Sequence, residues 1–186
     1  MEKWILAGDY LLTMDATNRV IPAGAVLIDG GVIAAVAPLG ELVASHPGVA
    51  VRKIDDAVLM PGLVNAHAHS GFLRGTAEHL PVWDWLTLHI NPMHRMLEPH
   101  EAEAASWLCY AESVHGGTTT VVDMWRFMDG SARAANTIGN RLVAVPYVGE
   151  HPEYNYFDTL DMNEAMIETW HRKAGGRVNV WVGLEH

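Results

Sequence analysis

Cysteine is almost absent from this sequence, and basic residues and long apolar runs are scarce. Cys109 is the only cysteine among 186 residues, which excludes an intrachain disulfide and a metal cluster built on several thiolates. Twelve Lys and Arg residues against 22 Asp and Glu give a net charge of −10, so neither nucleic acid nor a membrane surface is an expected partner. Because no apolar run approaches the roughly 20 residues that span a bilayer and no leader pattern opens the chain, we expect a cytoplasmic protein.

Histidine, by contrast, is abundant, with eleven residues in the chain. The hydrophobic fraction of 49% and the charged fraction of 18% are typical of a globular protein and exclude an intrinsically disordered chain. The placement of the histidines within the predicted strands and helices is therefore the main clue to function.

Two regions with different patterns divide the chain. Residues 1–57 consist of short apolar runs, two of which are separated by Asp29, Gly30 and Gly31, a strong signal for a β-hairpin. From residue 58 onwards apolar strands alternate with helices, which predicts an α/β fold with a parallel sheet covered by helices. The strands are expected near residues 58–65, 118–124, 142–148 and 178–184.

These β/α units correspond to about half of a (β/α)8 barrel, which takes about 250 residues when complete. The sequence ends on His186, directly after the last predicted strand. Two interpretations stay open at this point. The chain is either the first part of a longer barrel or a smaller fold with the same alternation.

The segment Pro61–His69 carries the clearest chemical signal, because an apolar strand leads into His67-Ala68-His69. Side chains alternate along an extended strand, so His67 and His69 face the same way. The carboxyl ends of barrel strands line the active-site mouth, where two neutral imidazoles can bind a divalent cation such as zinc or iron. The alternative is a pair of histidines in a surface loop, which the preceding strand and the Pro61-Gly62 break disfavour.

The segment from Met60 to His69 resembles the signature of the amidohydrolase superfamily, whose members are metal-dependent hydrolases built on a (β/α)8 barrel. Other motifs are similar to the branch that contains adenosine-thioether, guanine and cytosine deaminases and s-triazine hydrolases. The resemblance covers essentially the whole chain, and it implies that residues 1–57 are the N-terminal part of a small β-sandwich domain and residues 58–186 the first half of the barrel. The motifs are Leu73-Arg74-Gly75-Thr76-Ala77-Glu78, Trp85-Leu86, Gly116-Gly117-Thr118-Thr119-Thr120, Val122-Asp123-Met124, Gly175-Gly176-Arg177-Val178 and Gly183-Leu184-Glu185-His186.

The resemblance implies that His67 and His69 are ligands of one divalent metal ion, with zinc favoured and iron as the alternative. It also implies a hydrolase of C–N bonds other than peptide bonds, which deaminates an aminated purine, pterin, pyrimidine or s-triazine by metal-bound hydroxide. Superfamily members with two metals carry a carboxylated lysine at the end of the fourth strand. The last predicted strand here contains no lysine, so the resemblance favours a single metal. The remaining ligands and the general acid and base are expected beyond residue 186, so the 186-residue chain alone is expected to be incomplete.

Three residues are implied in binding the small heterocyclic substrate. His186, at the end of the fourth strand, is expected to point at the substrate, unless it is merely a frayed chain end. Trp85 is expected over the mouth, where it could stack on a flat ring, although packing between helices is an equal alternative. His94 stands where adenosine-thioether deaminases carry a glutamate that holds ribose hydroxyls, and because an imidazole cannot accept two such donors, a free base or triazine is favoured.

Three further residues have expected supporting roles. Arg74 and Glu78 are expected to form an ion pair that holds the loop after the first barrel strand. Asp123 ends the second strand, where it either faces the cavity or, as we favour, makes a hydrogen bond that supports a metal ligand.

Two functions without catalysis also stay open, namely an inactive fragment and a half-barrel that associates with itself as a homo-oligomer.

Overall fold

The structure of the protein is a computed structural model that describes residues 3–72, 75 and 79–184. The chain divides into two compact units, Met1–Pro61 and Gly62–His186. None of the helices within the described ranges combines the length and the apolar character that crossing a bilayer requires.

Within its described residues, 3–61, the first unit consists of short strands and one helix. Its elements are β1 (Trp4–Ala7), β2 (Tyr10–Leu12), β3 (Val20–Pro22), β4 (Gly24–Asp29), β5 (Val32–Pro38), α1 (Leu39–Ser45), β6 (Ala50–Lys53) and β7 (Val58–Leu59). They form a four-stranded sheet in the order β5-β4-β1-β6 and a three-stranded sheet in the order β3-β2-β7. The hairpin between β4 and β5 lies where the sequence predicts it, and Gly30 and Gly31 supply the positive φ angles of 61° and 87° that its two-residue turn requires.

The second unit is a parallel sheet with helices between its strands. The sheet has the order β11-β10-β9-β8, and every neighbouring pair is parallel. This order follows the chain, as expected for consecutive β/α units. Its elements are β8 (Leu63–Ala68), α2 (Val82–Trp85), a π-helical segment (Leu86–Ile90), α3 (Asn91–Met96), α4 (Pro99–His115), β9 (Thr118–Trp125), α5 (Met128–Ile138), β10 (Arg141–Pro146), α6 (Leu160–Trp170), α7 (Lys173–Gly176) and β11 (Val178–Val180).

The prediction of one continuous strand near residues 58–65 is wrong. Val58 and Leu59 pair with β2 in the first unit, and the first strand of the parallel sheet begins only at Leu63. Pro61 has no backbone N–H to donate to a ladder, and a side chain on Gly62 would collide with that of Thr119. The two residues therefore separate β7 from β8, and β8 extends to Ala68, directly beside the two histidines.

Helix α4 packs against β9 and carries buried polar groups towards it. It begins as a capping box, in which the Glu101 carboxylate accepts from the backbone N–H of Glu98 at 2.9 Å. Ser106 and Tyr110 lie on its buried face and are both fully inaccessible to solvent. Both hydroxyl groups lie within hydrogen-bond distance of the Ser70 hydroxyl, shortly after β8. Helix α4 therefore packs directly against the segment that carries the candidate site.

Gly183 lies against the carboxyl end of β10, where there is no space for a side chain. A Cβ at Gly183 would collide with the Pro146 carbonyl oxygen, which is backbone and has no freedom to turn aside. We expect Gly183→Ala to lower the free energy of unfolding by about 1–3 kcal/mol, as overpacking of a filled site does. Gly40→Ala is the control, because nothing lies within 4 Å of its added Cβ, and urea denaturation should show no loss for it. An equal loss in both variants would contradict this interpretation.

Candidate metal centre

His67 and His69 lie at the carboxyl end of β8 and point the same way, as two residues separated by one position on a strand do. Their Nε2 atoms are 3.0 Å apart. The ring centroids are 4.6 Å apart and the rings stand at 89° to each other. His67 is exposed, whereas His69 is half-buried. The structure therefore brings the two predicted ligands together at one point, with one ring accessible from solvent.

The tautomer of His69 follows from its neighbour on β9. The Nδ1 atom of His69 lies 2.6 Å from the carbonyl oxygen of Met124. Since a carbonyl oxygen only accepts hydrogen bonds, Nδ1 carries the proton and donates it. In the neutral ring the lone pair is then on Nε2, the atom that faces His67. This is the arrangement in which a metal-binding imidazole is held by its other nitrogen.

The histidine pair fits a divalent cation as two of its ligands. Zinc–nitrogen distances are about 2.0–2.1 Å, so one ion can contact two nitrogens that are 3.0 Å apart. Without a proton or a cation between them, two lone pairs would face each other at this distance. Within residues 3–72, 75 and 79–184, no cluster of three or more His, Cys, Asp or Glu side chains could hold a metal.

Asp123 does not face the open side of the sheet. It is fully buried, and its carboxylate accepts a hydrogen bond from the Tyr110 hydroxyl of α4 at 2.5 Å. It also accepts one from the backbone N–H of Ser70 at 2.8 Å. Asp123 thus supports the residue that follows His69, and the alternative that it lines the cavity is wrong.

Trp85 lies at the end of α2 and shares a groove with His69. Its ring stacks on Phe72, with centroids 5.9 Å apart and an angle of 28° between the planes. The groove has a volume of about 630 Å³ and is lined by His69, Ser70, Phe72 and Trp85 together with residues of α4. Trp85 is partly buried against the core, so it packs and lines the groove at the same time.

His94 is enclosed by aromatic rings. Only 1% of its surface is exposed, and its ring stacks on Tyr156 at 4.7 Å and 7° and on Tyr147 at 5.4 Å. The Trp125 ring lies 4.5 Å away and is tilted by 35°. Neither ring nitrogen has a hydrogen-bond partner among the described residues. Burial, and to a smaller extent the electrostatic effects of nearby Arg126 and His69, lower the pKa of His94 to about 3. The ring is therefore neutral near pH 7.

Sequence reasoning missed the charged pair beside His94. Arg126 donates from a guanidinium nitrogen to the His94 carbonyl oxygen, and its charge acts on Asp158. Burial raises the pKa of Asp158 to about 6, although the nearby Arg126 opposes the shift. The sequence did offer a signal for Arg126 and for Tyr147, which packs on His94. Arg126 directly follows β9 and Tyr147 directly follows β10, and residues at the carboxyl ends of parallel strands are candidates for a functional site.

Three predicted residues lie outside the described part of the chain. They are Arg74 and Glu78, expected as an ion pair, and His186, expected to face the substrate. Their roles stay predictions.

Comparison with known proteins agrees with the motifs. A profile of the amidohydrolase family matches residues 58–185, and a profile of a bacterial imidazolonepropionase-like composite domain matches residues 24–48. A 5-methylthioadenosine/S-adenosylhomocysteine deaminase of Nitratidesulfovibrio vulgaris is 38% identical over 165 residues, which cover 86% of this chain and 38% of the relative. The resemblance to the amidohydrolase superfamily and its deaminase branch is thereby confirmed.

Solved structures share the fold. An adenosine deaminase from Xanthomonas campestris, solved with bound zinc, superposes with a TM-score of 0.84 at 27% identity, covering 97% of this chain and 42% of that one. A guanine deaminase from Bradyrhizobium japonicum gives a TM-score of 0.80 at 20% identity, covering 97% and 43%. The chain spans about two fifths of the length of the relatives it matches, and the predicted α/β fold with a partial (β/α)8 barrel is confirmed. Because the family profile covers most of the sequence, this chain belongs to the amidohydrolase family.

Proposed function

We propose that this chain contributes His67 and His69 as two metal ligands of a hydrolase that deaminates an aminated heterocycle. The observation that carries the proposal is the convergence of the two Nε2 atoms at 3.0 Å, with the proton of His69 held on Nδ1 by Met124. The relatives named as 5-methylthioadenosine/S-adenosylhomocysteine and guanine deaminases support the reaction class.

The expected metal is one zinc ion, with iron as the alternative. Zinc is favoured because a solved relative, the Xanthomonas campestris adenosine deaminase, holds it. When bound, such a cation supplies a water molecule acidic enough to act as a nucleophile near neutral pH. Catalytic zinc sites usually have three protein ligands, so further ligands and the general acid and base are expected outside the described residues.

The groove beside His69 is the expected place for the heterocycle. Trp85 lines it with Phe72, and an aromatic wall next to the metal ligands orients a flat ring by stacking. His186 is expected to contact the same substrate. His94 is buried and offers no carboxylate for ribose hydroxyls, which supports a free purine, pterin, pyrimidine or triazine over a nucleoside.

The test is an ammonia-release assay on the full chain as it occurs naturally, together with elemental analysis. Aminopurines, pterins, aminopyrimidines and aminotriazines are compared, with the matching nucleosides as a control. We expect ammonia from one class of free heterocycle, loss of activity on chelation and recovery with added zinc. A metal-free protein that releases ammonia from none of these compounds would contradict the proposal.

Self-association without catalysis is the second candidate function, and one observation favours it. Strand β8 is at the edge of the sheet, and Leu63 and Val64 on it are 52% and 64% exposed. Exposed apolar edge strands invite pairing with another chain. Light scattering that shows a clean two-fold mass, without ammonia release from any heterocycle, would favour this candidate over the deaminase.

A further inference from the structure

We propose that Asp123 is a positioning residue that fixes the orientation of His69 from the neighbouring strand. The proposal rests on the proposed metal-binding role of His69 and adds to it a group that no comparison assigns. Among the described residues the Asp123 carboxylate accepts hydrogen bonds from Ser70 and Tyr110 and not from either histidine, so it acts through the backbone and side chain of Ser70.

Three consecutive residues of β9 hold three consecutive residues after β8. The Met124 carbonyl accepts from Nδ1 of His69 at 2.6 Å, and the Asp123 carboxylate accepts from the backbone N–H of Ser70 at 2.8 Å. At the next position the Trp125 ring packs so closely on Gly71 that an added Cβ would collide with it. The segment 69–71 is thus fixed at every residue from a single strand end.

The carboxylate of Asp123 is itself held on several sides. One oxygen accepts from the Ser70 amide, and the other accepts from the hydroxyl groups of Ser70 and Tyr110. These donors oppose the effect of complete burial, which raises the pKa of Asp123. A carboxyl group buried with this many donors tolerates few other orientations, because turning it would leave buried donors without an acceptor.

The network continues away from the histidines, which provides a matched control. The Ser106 hydroxyl lies 2.7 Å from that of Ser70 and 2.8 Å from that of Ser131. Ser131 is fully buried, and within the described part of the chain its hydroxyl group hydrogen-bonds to Ser106 and not to Ser70 or Asp123. Removal of the Ser131 hydroxyl therefore disturbs the same network without releasing the segment that carries His69.

The experiment compares Asp123→Asn and Ser70→Ala with Ser131→Ala in the full chain. Asn has one acceptor oxygen and one NH2 donor, so in either orientation of its amide the NH2 group faces a donor, namely the Ser70 N–H or the hydroxyl groups of Ser70 and Tyr110. We expect Zn²⁺ and Co²⁺ affinities, measured by chelator competition, to fall about 10–100-fold for Asp123→Asn, as for other partners that orient metal ligands. Ser70→Ala keeps its backbone bond to Asp123 and should show a smaller loss, while Ser131→Ala should bind like the parent.

A second measurement does not depend on metal. Nitrogen NMR of the metal-free chain should show His69 of the parent and of Ser131→Ala as the single tautomer protonated on Nδ1, and of Asp123→Asn as a mixture. If Asp123→Asn fails to fold, Ser70→Ala against Ser131→Ala decides the question by both measurements. Unchanged affinity and an unchanged tautomer in the Asp123 and Ser70 variants would overturn the inference. If the parent protein binds no metal, the proposed function is contradicted instead. The tautomer of His69 in the variants then tests the positioning role of Asp123 by itself.

Discussion

Replacing His69 by alanine is expected to remove metal from the protein and hydrolytic activity with it. Loss of a partner that only orients a ligand costs about 10–100-fold in metal affinity, so loss of the ligand itself should cost more than about 100-fold. The same change leaves the Met124 carbonyl without its donor in a half-buried position. We therefore also expect the free energy of unfolding to fall by about 1–3 kcal/mol.

His67→Ala separates these two effects. His67 is exposed, and the only bond that its side chain makes among the described residues is the one to His69. Its loss should abolish metal binding equally, but change the free energy of unfolding by less than about 0.5 kcal/mol. His100→Ala, an exposed histidine in the first turn of α4, is the control and should keep metal and stability. Elemental analysis, ammonia release and urea denaturation measure the three quantities, and an H69A protein that retains stoichiometric metal would refute the assignment.

The histidine pair was predictable because its geometry is local. A strand has a period of two residues, so His67 and His69 must share a face wherever the strand lies. The alternation of strands and helices from residue 63 onwards is also encoded in short stretches, and the parallel sheet follows from it. The start of the first strand of this sheet was not predictable from apolar character. Val58 and Leu59 look like the beginning of that strand, but they pair in another sheet.

The supporting contacts depend on residues far apart in the sequence. Asp123 and Ser70 are 53 positions apart, and only the register that places Ala68 opposite Asp123 brings them together. The Asp123 side chain points towards α4, where the Tyr110 hydroxyl supplies the third hydrogen-bond donor to its carboxylate. A pattern read along one strand indicates that a carboxylate lies near its end, but not which layer of the fold that carboxylate enters.

His94 shows the same limit at the level of a single residue. Its place in the sequence predicts contact with substrate, whereas the structure encloses it between Trp125 at the end of β9 and Tyr147 directly after β10. Tyr156, the ring most nearly parallel to it, lies more than 60 positions further on. Burial of His94 is thus decided by the loop after β10, and its role in binding substrate stays a prediction that a titration can test.

The pH dependence of stability should report this burial. Because burial lowers the pKa of His94 to about 3, from an ordinary value of 6.5, the unfolded chain binds a proton more readily than the folded one. The stabilisation is fully present above the unfolded pKa and is lost as the pH falls below 6.5 towards 3. At about pH 4 the loss reaches about 3 kcal/mol, since each pH unit is worth about 1.4 kcal/mol.

His94→Phe is the matched variant, because it keeps the aromatic stack and removes both the titration and two buried nitrogens that lack partners. Urea denaturation at about pH 7 and about pH 4 should give a parent-minus-variant difference that becomes about 3 kcal/mol less favourable to the parent at the lower pH. Asp158 acts in the opposite direction, since its raised pKa of about 6 favours the folded state as the pH falls, but this contribution is common to both proteins and cancels. A difference that stays flat with pH would show that the ring of His94 reaches water, and would restore it as a residue able to face the substrate.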